Sequence, residues 1–264
     1  MFMKLFSALI LLSSITFAYQ DSDIDGVEDS VDKCPDSSFD EIVDENGCSP
    51  NQHYLGVLTL LAGSDISADK HSQTTTNFNF FANYRYSNWD ITLSNANNTA
   101  STSSNSISAD YGDLYLSTGY YMESAILMTK LDVGTKLATA EKDTGTGEND
   151  LFTSLYVNRN ISQKQNLYLY YRYTLSGDSR HVDYKDFHTY SIGSGYALTP
   201  NWYSAFSYDY SGSPYSHTQP YKAVSWFNSY AFSKRLFATI NYAYGLNDIS
   251  PAHMVSLKMG VRFE

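Results

Sequence analysis

Residues 21–32 of this 264-residue chain carry carboxylates at a spacing that suits one kind of chemistry. Asp21, Asp23, Asp25, Asp29 and Asp32 occupy positions 1, 3, 5, 9 and 12 of the stretch, with Gly26 at position 6 and the carbonyl of Val27 at position 7. A hard cation such as calcium takes six to eight oxygens, and this spacing lets a short loop wrap one ion while the glycine permits the sharp turn. The predicted Ca2+ ligands are therefore Asp21, Asp23, Asp25, Val27, Asp29 and Asp32. Without a cation these acids repel one another, so the alternative is a solvated acidic spacer. No amphipathic helices flank the loop and position 12 is Asp, which separates it from an EF-hand.

The elements around the loop set its compartment. Residues 1–18 place Lys4 before the apolar run Leu5 to Ala18. That run is shorter than the roughly 20 residues of a membrane-spanning helix, so it predicts a secretory signal peptide cut before Tyr19. The residue directly after the cut is Tyr19 rather than a cysteine, and a lipid anchor is not expected. Export makes a disulfide the expected state of Cys34 and Cys48, since oxidising compartments preserve such bonds. Closing this short loop is worth about 3 kcal/mol. A metal-thiolate site would need more ligands than two cysteines with no neighbouring histidine.

The ordered pattern Asp21-x-Asp23-x-Asp25-Gly26-x-x-Asp29-x-x-Asp32-x-Cys34-Pro35, then Val43-Asp44-x-Asn46-Gly47-Cys48, resembles a thrombospondin type 3 repeat. The resemblance implies calcium binding by Asp21, Asp23, Asp25, Asp29 and Asp32, with Asp44 and Asn46 as further candidates. Similar repeats in bacterial outer membrane proteins of the protein A type link a barrel to a peptidoglycan-binding domain. Here the repeat comes before the barrel-like segment instead. Other members of the repeat family are associated with cell adhesion, which implies an alternative role in surface interaction.

The charge has the same address as the acidic motif. Of the net −11, the segment 21–48 contributes −10, through eight Asp and three Glu against Lys33, and leaves −1 elsewhere. This excludes a uniformly acidic soluble protein. It also excludes a nucleic-acid binder, because no stretch has the Lys/Arg surplus that phosphate contacts need.

From residue 51 onward apolar and polar residues alternate in runs of about ten, the period of a half-buried strand. Val255, Leu257, Met259, Val261 and Phe263 face one way, with Met254, Ser256, Lys258, Gly260 and Arg262 opposite. Phe78, Phe80, Ala82, Tyr84 and Tyr86 likewise oppose Asn77, Asn79, Asn83 and Arg85. Short turns near 87–88, 122–123, 162–164, 200–201 and 233–234 alternate with polar loops near 65–74, 96–106, 137–150, 177–186, 211–220 and 246–252. Short periplasmic turns alternating with long outer loops predict an all-β fold, a closed antiparallel transmembrane β-barrel of twelve strands. A soluble β-sandwich would place charges on its outward faces, where this chain has Leu, Val, Phe and Tyr. Trp89, Tyr120, Trp202 and Tyr221 are expected in aromatic girdles at the two interfaces. The last strand resembles the terminal strand of bacterial outer membrane barrels, with Phe263 as its aromatic end before Glu264. That resemblance implies recognition by the outer membrane assembly machinery.

Three segments result: a signal peptide (1–18), a calcium-binding module (19–50) in the periplasm, and a barrel (51–264) in the outer membrane of a Gram-negative bacterium. The expected lumen lining is Asn79, Asn83, Arg85, Asp90, Lys130, Asp132, Arg172, Lys258 and Arg262, with Asn77, Tyr168 and Tyr170 alongside. Arg85 and Asp90 flank a short turn, which suggests an ion pair. No enzyme is expected. Of His53, His71, His181, His188, His217 and His253, only His181 has Ser two residues away, Ser179 in the polar loop near 177–186 rather than on a strand, and His188 and Ser191 fall on opposite faces of a strand. The expected function is passive passage of small solutes or structural support of the envelope, and the alternative is an adhesion protein anchored by its barrel.

Overall fold

The computed structural model describes residues 21, 26–35, 37, 43–48, 56–70, 74–96, 112–124, 126–140, 148–177 and 184–263. The chain divides into two compact units, Met1–Tyr54 and Leu55–Glu264.

The second unit is all β. Its strands are β1 (Val57–Ala68), β2 (Thr74–Tyr86), β3 (Trp89–Ala96), β4 (Asp113–Glu123), β5 (Leu127–Leu137), β6 (Asp150–Asn160), β7 (Gln165–Leu175), β8 (Phe187–Thr199), β9 (Trp202–Ser211), β10 (Tyr221–Ala231), β11 (Leu236–Gly245) and β12 (His253–Phe263). Each pairs antiparallel with its chain neighbours, and β1 closes on β12 from Leu58 opposite Phe263 to Ala68 opposite His253. Closure leaves no edge strand, so backbone groups are satisfied within the wall. The ladders run in register apart from a shift between Ala197 and Thr199 in β8.

Alternation decides what each face meets. Phe78, Ile91, Val133, Leu151, Ile192, Phe206 and Leu257 point outward and are each more than half exposed. Asn79, Asp90, Asp132, Lys136, Ser154, Thr174, Ser225 and Ser256 point inward and are buried. Phe152 is the only large hydrophobic residue among the buried apolar set of the described residues. A water-soluble fold buries apolar surface, whereas this one displays it in a continuous band, the arrangement a lipid-facing wall requires.

Aromatic residues gather toward both ends of the strands. At the short-turn end Trp89 meets Tyr120 edge-on at 4.9 Å between ring centroids. Toward the other end Tyr190 stacks on Tyr210 at 4.6 Å, and Tyr171 and Tyr242 bond the Nδ1 of His188 and His253 at 2.7 and 2.8 Å. Tyr221 departs from the expected girdle. It shares the inward parity of Ala223 and Ser225, both buried, because its phase in β10 puts it on the polar face.

Two expected boundaries also move. The segment near 65–74 continues β1 as far as Ala68, with Ile66 outward and Asp65 inward. The turn expected at 122–123 falls later, between β4 and β5, where Ser124 N donates to Leu127 O at 2.9 Å, and Glu123 still belongs to β4. In both places a polar residue that suggests a loop in a soluble protein is an inward strand position in a barrel.

In the first unit Cys34 and Cys48 form a disulfide with Cα atoms 5.1 Å apart. The two ends of this loop are also stitched by Lys33 N donating to Asn46 O at 2.8 Å. Ser37 is buried beside them, its hydroxyl donating to Cys34 O at 2.9 Å and to Gly47 O.

Candidate functional site

Around the acidic loop, Asp21 folds back so that its Oδ2 accepts the N–H of Gly26 at 2.9 Å, and Gly26 takes a φ of 95°, a conformation that favours glycine. Asp32 Oδ1 accepts the N–H of Cys34 at 2.8 Å and ties the loop to the disulfide. The sharp glycine turn and the all-oxygen donor set fit a calcium-type ion. Among the described residues no group of three or more His, Cys, Asp or Glu is gathered as a metal site, and the expected ligands Asp23 and Asp25 lie outside those residues. Asp44 receives the N–H groups of Asn46 and Cys48 at 2.8 and 3.1 Å. These two backbone donors hold its carboxyl below the ordinary carboxylate range.

Inside the barrel, inward residues of β2 to β7 build a charged wall. Lys130 Nζ lies 2.7 Å from both Asp90 Oδ2 and Asp132 Oδ1. Asp90 Oδ2 also accepts from Asn83 Nδ2 and the Tyr121 hydroxyl, each at 3.0 Å. Asp132 Oδ2 accepts from Ser154 at 3.3 Å. One ammonium thus serves two carboxylates in a site where Asp90 is only 2% exposed. Gly119 makes room for the trio: a Cβ there would sit 2.5 Å from Asp132 Oδ1, 2.7 Å from Asp90 Oδ1 and against Lys130 Cε.

The expected pair of Arg85 with Asp90 does not form, although the two are directly opposed in the β2–β3 ladder. Arg85 instead bonds Glu123 at 2.8 Å and lies over the Tyr121 ring at 4.0 Å. Lys130 takes Asp90 because it reaches from β5 over the side-chain gap at Gly119. At the loop end of the wall Lys136, 2% exposed, lies 2.7 Å from Asp150 and 3.7 Å from Asp113. Between these groups lies Arg172, its guanidinium 4.2 Å from the Phe152 ring centroid and 5.7 Å from that of Tyr170.

The rest of the inward face differs. Asp209 on β9 accepts from Ser191 at 2.6 Å, Ser207 at 3.3 Å and Ser225. Asp65 is held by Asn79, with Lys258 at 3.9 Å. Arg262, exposed near the turn end, lies 5.5 Å from the Phe237 ring centroid. Asn77, Tyr168 and Tyr170 carry the inward parity of their strands. A cavity of about 440 Å³ opens against the charged wall, lined among others by Asn83, Asp90, Tyr115, Lys130, Asp132 and Arg172.

Alternation puts Lys136 on the polar face of β5 with Lys130 and Asp132, whereas Asp65, Asp113, Glu123, Asp150 and Asp209 were not among the expected lumen residues. Asp113 and Asp150 begin their strands and look like loop acids, yet they share parity with Tyr115 and Ser117, and with Phe152 and Ser154. That parity was the available signal.

A closed barrel of twelve antiparallel strands, apolar outside and lined with charge inside, has the architecture of outer membrane channel barrels. Among solved structures it is similar to one described as the KdgM porin, with a TM-score of 0.54, 9% identity, and coverage of 78% of this chain and 98% of that one. It is also similar to the NanC porin, with a TM-score of 0.55, 15% identity, and coverage of 78% and 99%. At this identity the likeness is one of fold. No family model and no curated protein sequence matches the chain.

Proposed function

We propose that this protein is a passive channel for small solutes in the outer membrane of a Gram-negative bacterium, with an N-terminal calcium-binding module in the periplasm. The observation that carries the channel reading is the inverted burial pattern. An apolar band faces outward, while charged and hydroxyl side chains crowd the inner face beside an open cavity. The porin-like fold supports the same reading. Polar lumen walls let hydrated solutes pass without stripping all their water, and mixed charge gives weak selectivity. Insertion would use the outer membrane assembly machinery, with Phe263 in the terminal strand as the signal.

For the module, the Asp21 turn, the Gly26 conformation and the Cys34–Cys48 closure support a thrombospondin type 3-like calcium loop with Asp21, Asp23, Asp25, Val27, Asp29 and Asp32 as ligands. Calcium would neutralise part of the local −10 and stiffen the segment. Two measurements on the refolded full chain test these readings. Discrete conductance steps in a planar bilayer are expected; stable insertion without conductance rejects the channel and favours a barrel that serves as anchor for adhesion or support. Calorimetry with millimolar calcium is expected to show binding that disappears on reduction of the disulfide; no calcium-dependent heat in the oxidised protein rejects the module's role.

A further inference from the structure

Arg172 differs from the other bases of the charged wall. Lys130 and Lys136 each lie between two carboxylates, and Arg85 is bonded to Glu123. Arg172 makes no ion pair or hydrogen bond with a described residue, and its Nε is buried without an acceptor. Among the described residues it lies against the rings of Phe152 and Tyr170, with Tyr115 also near. Leaving a buried guanidinium donor unsatisfied is costly, and a fork of N–H donors matches a carboxylate in bidentate fashion.

The cavity beside Arg172 supplies the rest of a binding site. Its lining includes five aromatic rings, those of Phe81, Tyr115, Tyr121, Phe152 and Tyr170. Its volume of about 440 Å³ falls within the range of small-molecule sites. The cavity carboxylates already have a cation: Asp90 Oδ2 accepts from Lys130, Tyr121 and Asn83, while its Oδ1 is buried without a donor, and Asp132 accepts from Lys130 and Ser154. Among the described residues of this lining, the charge that lacks an opposite charge is the positive one of Arg172, and rings surround it.

We propose that Arg172 and these rings form a lumen site for a small carboxylate bearing a flat ring. The carboxylate pairs with the guanidinium and the ring packs among the tyrosines. The inference deepens the channel reading and rests on it for access to the site, though binding itself can be measured without conductance.

The test titrates benzoate, with benzamide as neutral isostere, against single channels of the wild type, Arg172→Gln, Arg172→Lys and the outward-facing control Arg159→Gln. Heat-modifiable gel migration reports that each variant is folded. Benzoate is expected to reduce the wild-type and Arg159→Gln currents in a saturable manner, with benzamide much weaker. Block should weaken at least about tenfold in Arg172→Gln, with Arg172→Lys intermediate because it keeps the charge and loses the fork. Equal block in wild type and Arg172→Gln, or conducting channels that benzoate leaves unchanged, overturns the site. If Arg172→Gln does not fold, the wild-type to Arg172→Lys ratio decides in the same direction. If the wild type inserts but does not conduct, the channel reading fails on its own. Calorimetry of benzoate with the refolded full chain then decides the site: saturable heat weakened by the Arg172 substitution supports it, and equal heat or none overturns it.

Discussion

The two walls of the lumen stabilise buried charge by different means. On β2 to β7, carboxylates are held by ammonium and guanidinium groups: Lys130 joins Asp90 to Asp132, and Lys136 lies between Asp150 and Asp113. On β8 to β10, Asp209 has no basic partner among the described residues and is held by three serine hydroxyls. The inward positions beside Asp209 on its own and the paired strands are small, Ser191, Ser207, Ala223 and Ser225, with the tyrosines Tyr168 and Tyr221 farther along, whereas the charged wall carries Tyr115, Tyr121, Phe152 and Tyr170. An ammonium shared by two acids depends on every member being present. Hydroxyl donors each supply a part, so the loss of one leaves the others. The charged wall is therefore the brittle one, and also the one with an uncommitted positive charge.

Substitutions on the two walls sharpen this contrast. The largest effect is expected from Lys130→Met, which leaves Asp90 and Asp132 facing each other without their cation. Removing one partner of a buried pair costs about 3–5 kcal/mol, to be read as a lower denaturant midpoint for the refolded barrel. Gly119→Ala should follow at about 1–3 kcal/mol, because its methyl collides with the same carboxylates and overpacking strains its neighbours. A loss under about 0.5 kcal/mol in that variant would mean that the trio shifts to admit the methyl and that the wall is soft. Ser225→Ala, on the other wall, should cost about 1 kcal/mol, since Ser191 and Ser207 still solvate Asp209. If it matched Lys130→Met, the two walls would be equally brittle.

The smallest effect concerns the tie between Lys70 and Asp248 outside the barrel wall, at 2.7 Å. The hydrogen bond and charge of Lys70 hold the Asp248 carboxyl below its usual range. A depressed carboxylate stabilises the folded form above its unfolded value of 3.8, and that contribution fades as pH falls through the lower folded value. Amide protection near residues 69–70 and 246–249, measured relative to the intrinsic exchange rate at each pH, should therefore fall only below about pH 4 and stay flat from pH 5 to 9. The same profile in Asp248→Asn would show that the tie does not order these segments.

The barrel was legible in the sequence because membrane walls keep strict alternation. Phe78 to Tyr86 and Val255 to Phe263 show it plainly, and the strand count and antiparallel order follow from it. The boundaries at Asp65 and Glu123 were not legible. Polarity marks a loop in soluble proteins, but in a barrel it marks both loops and lumen, and only parity separates the two. The partner exchange at Asp90 was hidden for another reason. Sequence proximity favours Arg85, while the contact that forms depends on Lys130 crossing Gly119, a side-chain path that no spacing rule encodes. Arg172 was legible as a lumen residue, but not as the base of the charged wall that lacks an acid among the described residues, since that requires the neighbours to be placed.

The most direct test of the central claim, that the charged wall borders a solute path, uses a single new thiol. Both native cysteines are joined in the disulfide, so Ser117→Cys places the sole reactive sulfur on the cavity lining. Single-channel current is recorded before and after a bulky, charged, membrane-impermeant thiol reagent, with mass spectrometry confirming the adduct. The expected result is a stepwise loss of current in Ser117→Cys and none in the wild type. Channels whose current is unchanged after complete labelling, or a labelled barrel that never conducted, would contradict the claim.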